Sequence, residues 1–136
     1  MNQQGLTASS AGLDLVVFTA DGLRFGIVST QVCGLHPHPG ESLAILLNFS
    51  VVTHQTTCFR SLRVLSLTGE RFIRVEEPIY LRHYFFDALH PLPPLIAALP
   101  TAPAVRGLAW DEGGAVVILD PGLLPEGRDR PSPFFL

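Results

Sequence analysis

The sequence predicts an all-β fold made of short, paired strands. Two turns support this prediction: Asp21-Gly22 and residues 111–114 each join two apolar runs, and both supply residues that adopt the positive φ of tight hairpins. The composition agrees, because 47% hydrophobic and 15% charged residues with 12 Pro and 12 Gly suit many turns better than long charged helices. The length of 136 residues favours one domain.

The first predicted element is a hairpin near the start of the chain. Residues 13–20 alternate, so that Leu15 and Val17 point one way and Phe18 points the other. Asp21-Gly22 is the strongest short hairpin signal in the sequence, and residues 23–28 are predicted to return as the second strand.

The next part of the chain gives weaker signals. Residues 32–40 contain several prolines and glycines, which favours a loop or an irregular edge. Residues 43–49 form an apolar run that periodicity cannot assign to a strand or a helix, and we favour a short helix. Residues 54–60 are polar and turn-like.

A second hairpin is predicted from strands at residues 62–67 and 71–76 around a turn at 68–70. Pro78 must then lie at an edge or interrupt the ladder, because it has no N–H to donate. Residues 79–86 are aromatic-rich and are predicted to begin another strand. Residues 90–96 contain too many prolines for a regular element, so they are predicted to be an extended connection.

The last predicted unit is a hairpin of residues 105–110 and 115–119, whose second strand is apolar enough to be buried on both faces. Asp120 can cap a helical turn that begins at Pro121, and Leu123 and Leu124 would fold back onto the core. The strand faces give the following core prediction: Phe18, Phe25, Ile27, Leu65, Val117 and Leu119.

Both ends of the sequence resemble the CheW-like adaptor domain of bacterial chemotaxis. That family begins with a strand, a glycine turn and a second strand that carries an aromatic-Gly-aliphatic run, and it ends with an Arg-Gly strand, a glycine turn and a strand that closes in Leu-Asp. The matching residues here are Phe18, Gly22, Phe25-Gly26-Ile27, Val32, Arg106-Gly107, Ile118-Leu119-Asp120-Pro121 and Leu123-Leu124.

The resemblance implies two small, packed SH3-like β-barrels in one CheW-like domain at residues 13–125, with a disordered lead-in at 1–12 and a tail at 126–136. The middle segment, residues 29–61, is shorter than is usual in the family. Asn48 is followed by Phe49-Ser50, where family members carry an Arg-Gly turn associated with receptor binding.

The resemblance also implies a function. The chain would be a non-enzymatic adaptor that docks a CheA-type histidine kinase, with chemoreceptor cytoplasmic domains as a further partner. The alternative is a protein-interaction or self-associating β-domain outside chemotaxis arrays. The residues assigned to partner binding are Val32, Arg63, Arg71, Arg74, Arg82 and Arg106. The residues assigned to the structural motif are Phe25, Gly26, Gly107, Asp120 and Pro121.

The charges exclude some partners. All nine basic residues are arginine and the formal net charge is −3, so no basic field is expected to attract nucleic acid or anionic lipid. Five arginines fall within residues 60–82. They would form either a patch for an acidic partner or an ordinary solvated strand face.

No cofactor or catalytic motif is predicted. Thiolate and imidazole groups at Cys33, His36, His38, His54 and Cys58 are of the types that bind zinc, but their spacing does not match the usual paired motifs, so ordinary loop histidines and reduced thiols are expected. The acidic pairs at residues 76–77 and 111–112 are interpreted as solvated turn residues. The N-terminus has no secretory signal pattern and no apolar run reaches membrane-spanning length, which predicts a cytoplasmic protein.

Overall fold

The computed structural model of the chain describes residues 11–38, 40–47, 49, 60–94 and 103–125. The strands in this part of the chain are β1 (Gly12–Ala20), β2 (Leu23–Val28), β3 (Val32–His36), β4 (Arg60–Ser66), β5 (Gly69–Phe85), β6 (Leu89–His90), β7 (Val105–Asp111) and β8 (Gly114–Leu119). The helical elements are α1 (Leu43–Leu47) and 3-10 turns at Ser29–Gln31, Phe86–Ala88 and Pro121–Leu123. The predicted all-β class is confirmed.

The described strands form one sheet in the order β3-β4-β5-β1-β2-β8-β7-β6. Neighbouring strands are antiparallel except β2 and β8, which run parallel. The long strand β5 links the two halves of the sheet, because its first half pairs with β4 and its second half pairs with β1.

Strand β5 joins two strands that the sequence predicts separately, at residues 71–76 and 79–86. Pro78 lies where the ladder to β1 shifts register: Thr19 pairs with Glu76, and the next pair is Val17 with Tyr80. The proline therefore interrupts the hydrogen-bond ladder, as predicted, without ending the strand.

The β1–β2 hairpin forms as predicted. Asp21 and Gly22 adopt φ of 52° and 88°, so both central residues of the turn occupy the left-handed region. The strands pair from Ala20 with Leu23 back to Leu15 with Val28. Asp and Gly tolerate this backbone better than other residues, which is why the two-residue turn fixes the register of the hairpin.

Asp21 also anchors the short helix α1. Its Oδ2 accepts hydrogen bonds from the Ser42 hydroxyl at 3.2 Å and from the Ala44 N–H at 3.0 Å. The Ser42 Oγ accepts from the Ile45 N–H at 3.4 Å. The hairpin turn thus caps the helix N-terminus, and the predicted helix at residues 43–49 is confirmed for Leu43–Leu47.

Apolar side chains pack on both faces of β1. We call the face that carries Leu15 and Val17 the inner face; the face that carries Phe18 and Ala20 is the outer face. The inner-face cluster contains Leu15, Val17, Tyr84, Ala109, Val116 and Ile118. The outer-face cluster includes Phe18, Phe25, Ile27, Leu43, Leu62, Ile73 and Leu119. Two separate clusters on one strand are consistent with the two packed barrels that the sequence predicts.

The core prediction holds for four of its residues and is wrong for one. Phe18, Phe25, Ile27 and Leu119 are at most 1% exposed, and Val117 is partly buried against the outer-face cluster. Leu65, in contrast, is 44% exposed. The side chains of a strand alternate, and the buried apolar side chains of β4 are Leu62 and Val64, so Leu65 lies on the opposite face, which it shares with the small, buried Ser61.

The edges of the sheet are short or irregular. Val32–His36, predicted as a loop or irregular edge, forms the edge strand β3, which is paired to β4 with one register shift after Val32, so the second alternative is correct. Leu89–His90 forms the short strand β6 at the opposite edge. The predicted connection at residues 90–96 therefore begins with a paired residue, and part of it lies outside the described residues.

The end of the described chain closes onto the outer-face cluster. The Asp120 side chain accepts from the Gly122 N–H at 2.9 Å and caps a 3-10 turn that begins at Pro121, as predicted. Leu124 is 9% exposed and belongs to the outer-face cluster. The predicted lead-in and tail lie almost entirely outside the described residues. In the described part of the chain, no helix is both long enough and apolar enough to cross a membrane.

Candidate protein-interaction surface

A buried carboxylate, Asp111, links three strands on the inner face. It lies at the end of β7, and its side chain is only 1% exposed. Arg24 from β2 donates to both carboxylate oxygens at 2.9 and 2.8 Å, and the Tyr84 hydroxyl from β5 donates to Oδ2 at 2.6 Å. The Gly113 N–H donates to Oδ1 at 2.7 Å. The interpretation of Asp111 as a solvated turn residue is therefore wrong.

The protonation of this cluster follows from its hydrogen bonds. The Arg24 guanidinium holds the pKa of Asp111 well below its usual range, against the opposing effect of burial. The same contact raises the pKa of Arg24. Burial and the hydrogen bond to Asp111 raise the pKa of Tyr84. Asp111 is thus ionised and Tyr84 neutral at neutral pH.

A more exposed ion pair lies beside the cluster. Arg82 donates to both carboxylate oxygens of Glu112 at 3.1 and 2.9 Å, and its guanidinium carbon lies 5.3 Å from the centre of the Tyr84 ring. Arg82 also approaches Asp111 at 3.6 Å. Two arginines therefore balance two carboxylates.

The cluster has a structural role rather than a catalytic one. Asp111 already accepts four hydrogen bonds, about the full capacity of a carboxylate, so none of its lone pairs is available for proton transfer. Arg24 also donates to the Tyr80 hydroxyl at 2.7 Å. These contacts fix the β7–β8 hairpin against β2 and β5, which makes the end of β7 rigid.

The residue before Asp111 lies on the opposite face of β7. Trp110 is 49% exposed. It pairs with Ala115 of β8, and Leu108 pairs with Val117. Directly paired residues share a face, and Val117 packs against the outer-face cluster, so this row of side chains belongs to the outer face.

Strand β2 extends the same surface. Phe25 pairs with Val117, and Leu23 lies two residues before Phe25 and therefore on the same face. Leu23 is 41% exposed. We call the surface formed by Leu23, Leu108, Trp110, Ala115 and Val117 the Trp110 face. It is an apolar sheet surface on the outer face. The Asp111 cluster stabilises strands β2 and β7 from the inner face.

The arginines assigned to partner binding are spread over the molecule. Arg63 donates to Glu70 at 3.2 Å and to the Cys33 carbonyl at 3.3 Å. Arg71 forms a bidentate pair with Glu41 at 3.0 and 2.8 Å and is 13% exposed.

Arg74 lies on β5 opposite Ser61 of β4, and Arg82 lies beside the Asp111 cluster, 3.6 Å from Asp111. Arg106 is exposed on β7 at a register shift. Val32 packs partly against the outer-face cluster. The structure brings Arg63 and Arg74 to one face of the β4–β5 pair and places Arg71 on the other.

The glycines of the structural motif allow close approach between strands. A Cβ at Gly26 would lie 3.0 Å from Leu15 and 3.1 Å from Val116. A Cβ at Gly107 would lie 2.7 Å from the carbonyl oxygen of His90. Gly26 therefore serves packing on the inner face, and Gly107 serves the pairing of β6 with β7.

The histidines of the β3 edge form an aromatic cluster. His36 and His38 lie 5.2 and 5.4 Å, between ring centres, from Phe72. Within the described ranges, no three His, Cys, Asp or Glu side chains are close enough together to hold a metal ion. Cys33 is a free, half-buried thiol, and His54 and Cys58 lie outside the described residues.

Sequence reasoning missed both Trp110 and Asp111. Trp110 is the one tryptophan of the chain and stands at the end of an apolar run, a signal that favours an interface residue. The signal for the buried cluster is that Tyr80, Arg82 and Tyr84 alternate along one strand, which places three polar groups on a single face.

No protein-family model and no curated protein matches the sequence. Among solved structures, the chain is similar to the crystal structure of the scaffolding protein TtCheW from Thermoanaerobacter tengcongensis. The TM-score is 0.63 and the sequence identity is 14%, and the similarity covers 84% of this chain and 99% of that one. The chain therefore has a CheW-like all-β fold, as the sequence predicts.

Proposed function

We propose that the protein is a non-enzymatic cytoplasmic adaptor that binds the regulatory domain of a CheA-type histidine kinase through the Trp110 face. This proposal rests on Trp110, which is half-exposed on β7, a strand that the Asp111 cluster holds in place. The fold that the chain shares with a scaffolding protein supports an assembly role.

The Trp110 face has the physical properties of an interface centre. Tryptophan buries a large area and is enriched among the residues that dominate binding energy. Leu23, Leu108 and Val117 surround it with partly exposed apolar surface. Since the Asp111 cluster fixes β7, little conformational entropy is lost when a partner covers Trp110.

The charge pattern suits a protein partner better than nucleic acid. The formal net charge is −3, and each of Arg24, Arg63, Arg71 and Arg82 forms an ion pair with a carboxylate of this chain. Paired arginines add little long-range attraction for a polyanion. Apolar contact is therefore the main source of affinity in this proposal.

We propose that receptor binding is weak or absent. Asn48 is followed by Phe49-Ser50, so the arginine that the CheW-like resemblance places in a receptor contact is missing. Losing a charge-assisted hydrogen bond at an interface centre costs about 2–5 kcal/mol, at least tenfold in affinity.

The proposal is tested by two titrations of the full chain, one with a CheA regulatory domain and one with a chemoreceptor cytoplasmic tip. Binding to the kinase domain without binding to the receptor tip is expected. Tight receptor binding would contradict the argument from the missing arginine. Binding to neither would favour a module outside chemotaxis arrays.

Two matched substitutions locate the interface. Trp110→Ala should weaken kinase binding by about 30-fold or more, which corresponds to a loss of ~2 kcal/mol at a central contact. Leu67→Ala is the control, because Leu67 is 82% exposed at the β4–β5 turn, outside the Trp110 face. If both variants bind like the unchanged chain, the Trp110 face is not the kinase interface.

A further inference from the structure

Strand β7 contains a β-bulge at Arg106. Val105 pairs with Leu119 of β8. The next pair joins Gly107 to Ile118, so two successive residues of β7 lie opposite one residue of β8. The extra residue is Arg106, which is exposed.

The bulge places the Arg106 side chain on the outer face. Gly107 pairs with Ile118, which belongs to the inner-face cluster, so the neighbours of Gly107 along β7 lie on the opposite face. These neighbours are Arg106 and Leu108. In an unbroken ladder Arg106 would itself pair with Ile118 and lie against the inner-face cluster, where a charged side chain is costly. Redirecting a side chain is a recognised effect of such bulges.

Arg106 therefore continues the row of outer-face side chains that ends at Trp110. Arg106, Leu108 and Trp110 occupy alternate positions on β7, and the distance from the first to the last is ~13 Å along the strand. His90 of β6 pairs with Leu108 and is exposed, so it lies on the same face beside this row. The Trp110 face thus has a cation at one end and an imidazole next to it.

No carboxylate in the described part of the chain pairs with Arg106. Ion pairs of this kind are formed by other arginines, namely Arg24, Arg60, Arg63, Arg71 and Arg82. Asp120 directly follows Leu119, the residue opposite Arg106. Its carboxylate instead accepts from the Gly122 N–H at 2.9 Å and from the Gln31 side-chain amide at 3.2 Å. The Arg106 guanidinium is therefore available to a carboxylate of another molecule.

We propose that Arg106 binds a carboxylate of the kinase regulatory domain when that domain covers the Trp110 face. This inference rests on the proposed function, because it names the chemistry of the partner at the same face. The partner presents an apolar group over Trp110 and an acidic side chain ~13 Å away along β7. A charged contact beside an apolar one fixes the orientation of the partner, which apolar contact alone does less well.

The position of Arg106 determines which binding parameter it changes. It is exposed at the margin of the apolar surface, so its ion pair contributes less affinity than the burial of Trp110. A charge at the margin of an interface mainly changes the rate of association and its dependence on salt. Loss of a central apolar contact, in contrast, mainly raises the rate of dissociation.

The proposal is tested by measuring both rate constants for the full chain and a CheA regulatory domain, at low and at high salt. Arg106→Glu should lower the association rate about fivefold or more at low salt, and this difference should shrink at high salt. Arg60→Glu is the matched control. Arg60 is 48% exposed on β4, outside the Trp110 face, and its reversal changes the net charge by the same amount. Its association rate should stay within about twofold of that of the unchanged chain.

The outcomes separate this inference from the proposed function. A slower association for Arg106→Glu but not for Arg60→Glu supports the contact. Equal rates for these two variants, with binding by Trp110→Ala still weakened, overturn the role of Arg106 and leave the Trp110 face as the kinase interface. No binding by the unchanged chain overturns both. Melting temperatures of the variants control for folding.

A charge exchange identifies the partner carboxylate. Surface Asp and Glu residues of the kinase regulatory domain are replaced one at a time by Lys, and each variant is measured against Arg106→Glu. One replacement should restore the association rate, because acid and base have only changed places. If none of the folded kinase variants restores it, Arg106 does not bind a carboxylate of this domain.

Discussion

Arg24 and Asp111 lie 87 residues apart in the sequence and form a two-point ion pair, with donor–acceptor distances of 2.9 and 2.8 Å. The pair joins the first hairpin of the described chain to the last. Arg24 keeps 25% of its side chain exposed, whereas Asp111 keeps 1%. The carboxylate is therefore the member that depends on its partners, because a buried charge without hydrogen bonds is costly.

We expect Asp111→Asn to lower the free energy of unfolding by about 2–3 kcal/mol at neutral pH, the usual worth of hydrogen bonds to a charged group. Urea unfolding measures this change. Glu112→Gln is the matched control: Glu112 is 80% exposed and pairs with Arg82 at the surface, where solvent screens the pair, so its substitution should cost clearly less than that of Asp111. Equal costs for the two variants would contradict the burial argument.

The pH dependence of the same pair follows from the depressed pKa of Asp111. A carboxyl whose pKa is lower in the folded state contributes its full stability above its unfolded pKa of about 3.9, and loses it as the pH falls towards the folded pKa. The gap in unfolding free energy between the unchanged chain and Asp111→Asn should therefore be constant near neutral pH and shrink below pH ~4. A gap that stays constant down to pH 3 would show that the ionised form is not favoured.

Local signals were sufficient for the hairpins and for the class of fold. A two-residue hairpin turn needs positive φ at both central residues, which few pairs other than Asp-Gly adopt. The turn at Asp21-Gly22 and its flanking strands could therefore be predicted from adjacent residues alone. The Asp111 cluster could not be predicted in this way, because its members come from β2, β5 and β7. Next to Glu112 and Gly113, Asp111 has the local sequence of an exposed turn.

Asp21 is expected to contribute through both its backbone and its carboxylate. Asp21→Ala should cost about 2–3 kcal/mol, because it removes the cap of α1, worth ~1 kcal/mol, and replaces a residue whose short polar side chain tolerates the left-handed region with one that does not, at about 1–2 kcal/mol. Asp21→Asn keeps an acceptor oxygen and tolerates the turn, so it should cost little. Asp21→Gly tolerates the backbone of the turn but has no side chain to cap α1, so its loss of stability should lie between those of the other two variants. Thermal unfolding of the three variants separates the two effects, and equal losses in all three would refute the capping role.

Leu62 and Leu65 allow a direct test of the strand faces of β4. They are the same residue type on one strand, but Leu62 is 2% exposed and Leu65 is 44% exposed. Leu62→Ala should cost about 2–5 kcal/mol through lost burial and a residual cavity, and Leu65→Ala less than about 1 kcal/mol. The denaturation midpoints of the two variants provide the comparison. A larger loss of stability for Leu65→Ala would mean that the opposite face of β4 is buried.

Which face of β4 is buried could not be predicted from its sequence, since apolar residues lie on both faces of the run from Leu62 to Leu65. Alternation is informative only where one face is polar. The register with β5, which places Leu62 beside Ile73 in the core, decides the question.

Gly107 offers the sharpest test of strand spacing. A Cβ at this position would lie 2.7 Å from the His90 carbonyl oxygen, and a backbone atom of a paired strand cannot move aside alone. Gly107→Ala should therefore push β6 away from β7 and cost about 1–3 kcal/mol, the usual range for overpacking. Gly34→Ala is the control, because its nearest neighbour is a side-chain atom of His36 at 3.7 Å, an ordinary contact distance. Hydrogen exchange at His90 reports the separation, whereas the Leu89 N–H donates to the Phe86 carbonyl within the 3-10 turn. Exchange at His90 should accelerate in Gly107→Ala and stay unchanged in Gly34→Ala. Unchanged protection and stability in both variants would mean that β6 is not held against β7.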